Sequence, residues 1–400
     1  MPVFSYVAKM NDGRTVKGSL EAHSKSSMLE TLHRQGLIVL EVNIKKAAGP
    51  AAFGGRVKAD DLAIFSRQMA TLVDAGIPIV GGLEAVSDQL ENPQLRQVVI
   101  KIYEAVEGGM NLTAAIAKQN TVFSPLFVSM VRAGEASGHL ADVLDRLATY
   151  LEKSAALQRK VKSACIYPAI VISMALIITT LLMIKVIPVF KQMFEQLDVD
   201  LPLPTQILIS TSDLMATFFF PGIGLVIAVV FLFRRFIKTP NGRLWFHRLL
   251  LKAAIVGPIV RKVAIAKFAR TLSTLVRSGV PILSALEIVS ETSGNRVVEL
   301  AVLQVRASIK EGENIAAPLA ASKVFPPLVV RMIAVGEQTG RLDNMLTKIA
   351  EFYEEQADTA IAGLTSAIEP LIIAVLGVVV GGIVISIFMP IFKLTQVFSG

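Results

Sequence analysis

The 400-residue sequence holds a single cysteine, Cys165. No disulfide can form within the chain, so any part facing an oxidising compartment must be stable without one. Histidine is almost as scarce, and His23, His33, His139 and His247 are too scattered to suggest a histidine-built metal centre. No Gly-rich stretch ends in Gly-Lys-Ser/Thr, and no HExxH, CxxC or GxSxG occurs. The first residues, MPVFSYVAKMNDGR, contain no apolar run, so a cleavable signal peptide is not expected. These absences argue against a nucleotide-hydrolysing, zinc, thiol-redox or serine-hydrolase enzyme, and no cofactor is expected.

Apolar residues are abundant instead. They make up 53% of the chain, aromatics only 6%, and the mean hydropathy is +0.58. That profile suits helices that meet lipid or one another. Three stretches, Pro168 to Phe190, Met215 to Phe233 and Leu371 to Phe392, come close to the roughly 20 residues that cross about 30 Å of hydrocarbon. Lys185 stands near one end of the first, where its stem can snorkel to the interface. Ionisable residues are otherwise missing from the span centres, which argues against a proton-coupled transporter or a channel. The net charge of +8 does not call for nucleic acid, because basic residues cluster beside the spans. Lys153, Arg159, Lys160 and Lys162 precede the first span, and the run from Arg234 to Lys252, with Trp245 as an interfacial anchor, follows the second. Between the two spans, Lys191 faces Glu195, Asp198, Asp200 and Asp213. The positive-inside rule therefore predicts a cytoplasmic N-terminus and middle segment, a periplasmic loop and a periplasmic C-terminus.

The chain also repeats itself. FSRQMATLVDAGIPI at Phe65 returns as FARTLSTLVRSGVPI at Phe268, and Pro78 and Pro281 stand 203 positions apart. FSPLFVSMVRAGEASGHL at Phe123 returns as FPPLVVRMIAVGEQTGRL at Phe325, now 202 apart, so one residue is missing between the blocks. Pro168 and Pro188 match Pro370 and Pro390 at the same offset, which makes the first and third spans copies as well. Two copies with one orientation require a return crossing, the second span. Apolar residues at helical spacing, such as Leu62, Phe65, Met69, Leu72 and Val73, predict a bundle of six helices per copy. The fold class is therefore mainly α: a polytopic membrane protein with two repeated cytoplasmic six-helix bundles, three transmembrane helices and a small N-terminal ββαβ unit. That unit is read from strands at Val3 to Ala8, Thr15 to Leu20 and Leu37 to Ile44, a turn at Asn11-Asp12-Gly13 and a helix at Ser24 to Gln35. The expected layout is an α+β unit over 1–45, a linker over 46–58, bundle 1 over 59–166 and a span over 167–190. A periplasmic loop over 191–213, a span over 214–234, bundle 2 over 235–368, a span over 369–393 and a periplasmic tail over 394–400 complete it.

Few residues stand out as candidate sites. Gly134, Glu135 and Gly138 recur as Gly336, Glu337 and Gly340. They read as a helix–turn–helix junction, with the acid near the next helix N-terminus, or as a partner-contact surface kept in both copies. Glu84 with Glu135, echoed by Glu287 and Glu337, offers too few ligands for a divalent cation. Pro168 and Pro370 end the joint between bundle and span and are candidates for coupling the two. Gly377 and Gly381 form a small-xxx-small pattern suited to close helix packing.

The repeated blocks, the GEASGHL and GEQTGRL turns and the LPLPTQ stretch at Leu201 resemble the type II secretion F-protein family, over nearly the whole chain. The overall pattern is more similar to the branch serving type IV pili than to the secretion branch. The resemblance implies a non-enzymatic inner-membrane platform in a Gram-negative-type envelope. Its partners would be a hexameric assembly or retraction ATPase, pilins or pseudopilins, inner-membrane assembly-complex proteins and membrane lipid, with a homo-oligomeric state. The equivalent platform of a type II secretion system is the alternative.

Overall fold

The computed structural model describes residues 3–9, 15–21, 38–45, 57–196 and 201–398. At the start, β1 (Val3–Lys9) is the central strand between β2 (Thr15–Glu21) and β3 (Ile38–Lys45), antiparallel to both. Tyr6 lies opposite Gly18 on one side and Val42 on the other. The expected turn at 11–13, the helix at 24–35 and the linker at 46–56 lie outside the described residues.

The first bundle comprises α1 (Ala59–Asp74), α2 (Ile79–Gln89), α3 (Pro93–Glu107), α4 (Leu112–Ala117), α5 (Pro125–Ser137) and the near half of α6 (Leu140–Leu181). Local chemistry sets these boundaries. α1 closes on Gly76 at φ +81°, a left-handed cap that glycine adopts without steric cost, and Pro78 then opens α2. Asn92 and Ser124 accept from the first free amides of α3 and α5, with proline at N1 in each. α6 runs on through a π-turn, Leu182–Val186, into α7 (Ile187–Gln196). The chain returns along α8 (Leu203–Lys238) and reaches the second bundle by α9 (Pro240–Lys252). That bundle is α10 (Val256–Arg277), α11 (Ile282–Thr292), α12 (Arg296–Lys310), α13 (Ala316–Ala321), α14 (Pro327–Thr339) and the start of α15 (Leu342–Phe398).

The residue missing from the second copy is absorbed between α13 and α14. Lys323 there takes φ +54°, alone among described non-glycine residues in the left-handed region, so a shorter turn still delivers Phe325 to the core. Phe325 meets Phe268 at a tilt with ring centroids 4.7 Å apart, as Phe123 meets Phe65 at 5.8 Å. One apolar core continues through both bundles, from Phe65 and Val99 to Leu272 and Ile349.

Three helices are long and apolar enough to cross a membrane, over Leu140–Met193, Leu203–Lys238 and Leu342–Pro390. Two expectations need correction. Pro168 and Pro370 do not stand at the first position of a helix; both sit inside unbroken helices of 42 and 57 residues. A proline costs one N–H per site, and a long helix held on both sides tolerates that loss. Residues 191–196 and 203–213, expected as loop, are helical. The apolar face of 203–213 has a use, since Leu208 and Ile209 pack on the cluster of Met183, Ile187 and Ile383.

Candidate functional site: turns, seam and span junctions

The glycine–glutamate motif is an internal brace. Gly138 and Gly340 cap α5 and α14 at φ +75° and +69°. At Gly134 a Cβ would stand 3.1 Å from Leu140 and Val143, and at Gly336 it would stand 3.0–3.2 Å from Leu342 and Met345, so glycine lets consecutive helices close together. Glu135 does not serve the next helix, as the sequence suggests, but the short helix α4. Its carboxylate accepts from Leu112 N at 2.7 Å, Thr113 N at 3.1 Å and the Thr113 hydroxyl. Glu337 does the same for α13, accepting from Ile315 N at 2.6 Å and Ala316 N at 3.0 Å. A charge-assisted bond to otherwise free N-terminal amides is the helix-dipole argument applied to a different helix. Glu287 pairs with Arg306 at 2.7 Å, so each acid of the second copy has its own protein partner. Among the described residues no group of three or more His, Cys, Asp or Glu could hold a metal ion.

A second paired device went unnoticed in the sequence. Arg67 on α1 grips Glu152 on α6 with two parallel bonds of 2.7 and 2.9 Å, and Arg270 on α10 grips Glu354 on α15 with two of 2.7 Å. This bidentate fork ties the first helix of each bundle to its last. The Arg67 hydrogen bond holds Glu152 below the usual carboxylate range. The signal was present, because both charges recur at the repeat offsets.

The seam between the bundles is built by α6. Arg146 donates to the carbonyl of Arg277, and the Tyr150 hydroxyl lies 3.2 Å from that of Thr271. Lys153 stands 3.8 Å from Glu354, and Lys160 pairs with Asp358. Leu157 packs with Ile259, Ala357 and Ile361.

At the far ends of the spans, α8 answers a defect in each of its neighbours. Pro390 has no N–H for the carbonyl of Ser386, four residues earlier, and the buried Thr205 hydroxyl donates to that oxygen at 2.6 Å. In the first copy the π-turn pairs Ile187 N with Leu182 O, so Pro188 leaves Met183 O unpaired, and the buried Ser212 hydroxyl donates to it. Thr205 and Ser212 are two turns apart on one face of α8. Gly377 and Gly381 meet nothing within 4 Å of where a Cβ would be.

The architecture is thus a duplicated bundle on copied spans joined by a return helix. The family profile described as "Type II secretion system (T2SS), protein F" matches residues 65–188 and again 268–390. The chain belongs to the type II secretion system protein F family. The profile of that family's N-terminal domain also matches, over residues 1–43. Among its relatives, "Type IV pilus assembly protein PilC" of Myxococcus xanthus is 43% identical, covering 98% of this chain and 94% of that protein. The protein of the same name from Thermus thermophilus is 42% identical over the full length of both. "Type II secretion system protein F" of Vibrio cholerae is 33% identical, again over both full lengths. Each matched segment of the F-protein family thus begins on the first helix of a bundle, at Phe65 and Phe268, and runs on through the span that follows.

Proposed function

We propose that this chain is a non-enzymatic platform of the inner membrane that supports type IV pilus assembly. The observation that carries this is full-length similarity that is higher to the pilus assembly relatives, at 43% and 42%, than to the secretion protein at 33%. Secretion of proteins through the related machine is the second reading, favoured by the undiminished coverage of that 33% relative. The basic flanks support bundles on the cytoplasmic side and the 197–202 connection and C-terminus on the periplasmic side. The match over residues 1–43 and the antiparallel strands support a small α+β unit ahead of the first bundle.

A cytoplasmic hexameric ATPase would act on the bundles, and pilins would be handled by the spans. Continuity of α6 and α15 from bundle into span supports that coupling, because an unbroken helix passes a displacement from one to the other without an intervening loop. Pro168 and Pro370 become points where those rods can bend. In this reading the glycine–glutamate turns keep the bundles stiff, and Gly377 and Gly381 keep a helix face free for close packing.

Deletion of the gene, followed by electron microscopy of surface filaments and a secretion assay, tests the proposal. Loss of pili with secretion intact supports it. Loss of secretion with pili intact assigns the chain to the secretion machine. Retention of both, with no second copy of the gene, overturns the platform reading.

A further inference from the structure

Basic residues flank two of the spans, and the fold treats the two groups differently. Beside the first span Arg159 pairs with Asp60, Lys160 pairs with Asp358, and Lys153 lies near Glu354. Beside the second, Arg234, Arg235 and Lys238 close α8, and their side chains make no hydrogen bond or ion pair among the described residues. The same is true of Arg248 and Lys252 on α9. No aspartate or glutamate occurs between Asp213 and Glu287, so nothing nearby in the chain neutralises these cations. Depth is fixed by the span itself. Leu214 to Phe233 contains no ionisable side chain and covers about 30 Å of helix, the thickness of the hydrocarbon layer. Arg234 and Arg235 therefore emerge among the lipid headgroups. α9 is held at the same depth, because the chain doubles back at Thr239. The Thr239 hydroxyl accepts from Gly242 N at 3.1 Å, and a Cβ at Gly242 would strike the Phe236 carbonyl. Phe246 then meets Phe233 at 5.8 Å, and Trp245 meets Phe236 at 6.0 Å, between ring centroids. His247 turns inward, where it accepts from Arg296 N of the second bundle. Trp245 and Leu249, 53% and 52% exposed, lie on the opposite face with Arg248 and Lys252 beside them.

We propose that the elbow of α8 and α9 is a binding site for anionic phospholipid. α9 lies flat in the headgroup layer, with Trp245 and Leu249 entering the acyl boundary and the cations at its edge. The planar guanidinium of Arg234 or Arg235 can grip two oxygens of one lipid phosphate, and the Lys238 ammonium adds a point charge. Phe231 and Ile237 border the same open cleft of about 620 Å³ and give an acyl chain an apolar wall. A zwitterionic lipid offers the same phosphate but brings an amine of its own. Cations without a protein partner therefore select lipids of net negative charge. Bound lipid holds the base of the second bundle on the membrane surface, whereas the flank of the first span is engaged within the protein. The proposal requires that α8 cross the membrane and is independent of which filament or secretion machine the chain serves.

Trp245 is the only tryptophan of the chain, so its fluorescence reports on α9 alone. The test reconstitutes the full chain in vesicles of phosphatidylcholine and phosphatidylglycerol in equal amounts, with bromine on the acyl chains of one lipid or the other. The expected result is quenching of Trp245 by both, and more by brominated phosphatidylglycerol. A basic residue near an anionic surface is favoured about fivefold, so Arg234→Gln, Arg235→Gln and Lys238→Gln together should remove most of that excess. Arg234→Lys with Arg235→Lys should retain it, and circular dichroism checks that each variant keeps its helices. Equal quenching by the two lipids in the unaltered chain overturns the proposal and leaves the cations to orient the span alone. An excess that survives in the glutamine variant also overturns it. So does quenching by aqueous iodide and by neither brominated lipid, which would place the α9 face in water, open to an acidic protein.

Discussion

At the start of the third helix of each bundle, one substitution between copies is answered by a residue from elsewhere. Pro93 opens α3 and has no N–H to satisfy. Arg296 opens α12 and does, and its amide donates to Nδ1 of His247 on α9 at 2.7 Å. That nitrogen accepts only in the neutral ring. Burial and the neighbouring Arg243 hold the imidazole below its ordinary value, against a smaller opposing effect of Glu299. A depressed folded value means that the contact stabilises above the ordinary histidine range and is lost as pH falls through the folded one. The thermal midpoint is therefore expected to drop from about pH 7.5 to about pH 5. His247→Phe should lower the midpoint at the higher pH and flatten the dependence; an unchanged slope assigns the titration elsewhere. Glu135 shows how far residue-level reading reaches. Its spacing from Gly134 and Gly138 marks a turn and an acid at a helix N-terminus, but that helix lies more than twenty positions earlier, and local sequence does not name it.

At the scale of elements, α8 is more than a return crossing. Each neighbouring span contains a proline near its far end, and each proline strands one carbonyl. Hydrogen bonds between membrane helices are worth about 0.6–1.7 kcal/mol, and Thr205 and Ser212 place two on one face. Thr205→Val should cost roughly that much in resistance to denaturation. Pro390→Ala returns an amide to the Ser386 carbonyl, so the double variant should recover most of the loss. Recovery, read from thermal midpoints in one detergent, separates this account from a packing effect, which Pro390→Ala would leave uncorrected. The apolar length of the spans was legible from composition alone. The π-turn was not, because it shifts the stranded carbonyl by one residue, from the position matching Ser386 to Met183, and only the neighbour's hydroxyl reveals which oxygen it is.

For the whole molecule, the duplicated bundles form one body through an apolar strip with charges along its edge. The edge pairs are solvated, and removing one such as Lys160–Asp358 should change stability by less than about 1 kcal/mol. The strip is different. Leu157→Asp puts an unpaired carboxylate against Ile259 and Ile361, a change that costs on the order of 3–5 kcal/mol. The bundles should part while each keeps its own core. Hydrogen exchange is expected to rise along 150–164 and 354–361 and to stay slow around Phe127 and Val329. Uniform loss of protection would show instead that neither bundle stands without the other.

The duplication, the number of helices that can span, their apolar faces and the glycine turns were determined by the sequence itself. Each follows from near neighbours, through helical period, hydrocarbon thickness and the conformational freedom of one residue. Tertiary structure alone decided which groups satisfy one another. Thr205 meets the carbonyl of Ser386 across 181 positions, Glu135 caps a helix behind it, and Tyr150 is mostly covered while its counterpart Phe352 is left exposed. A buried polar atom must find a partner wherever the packed elements bring one, and the chain order of the residues does not say where that will be.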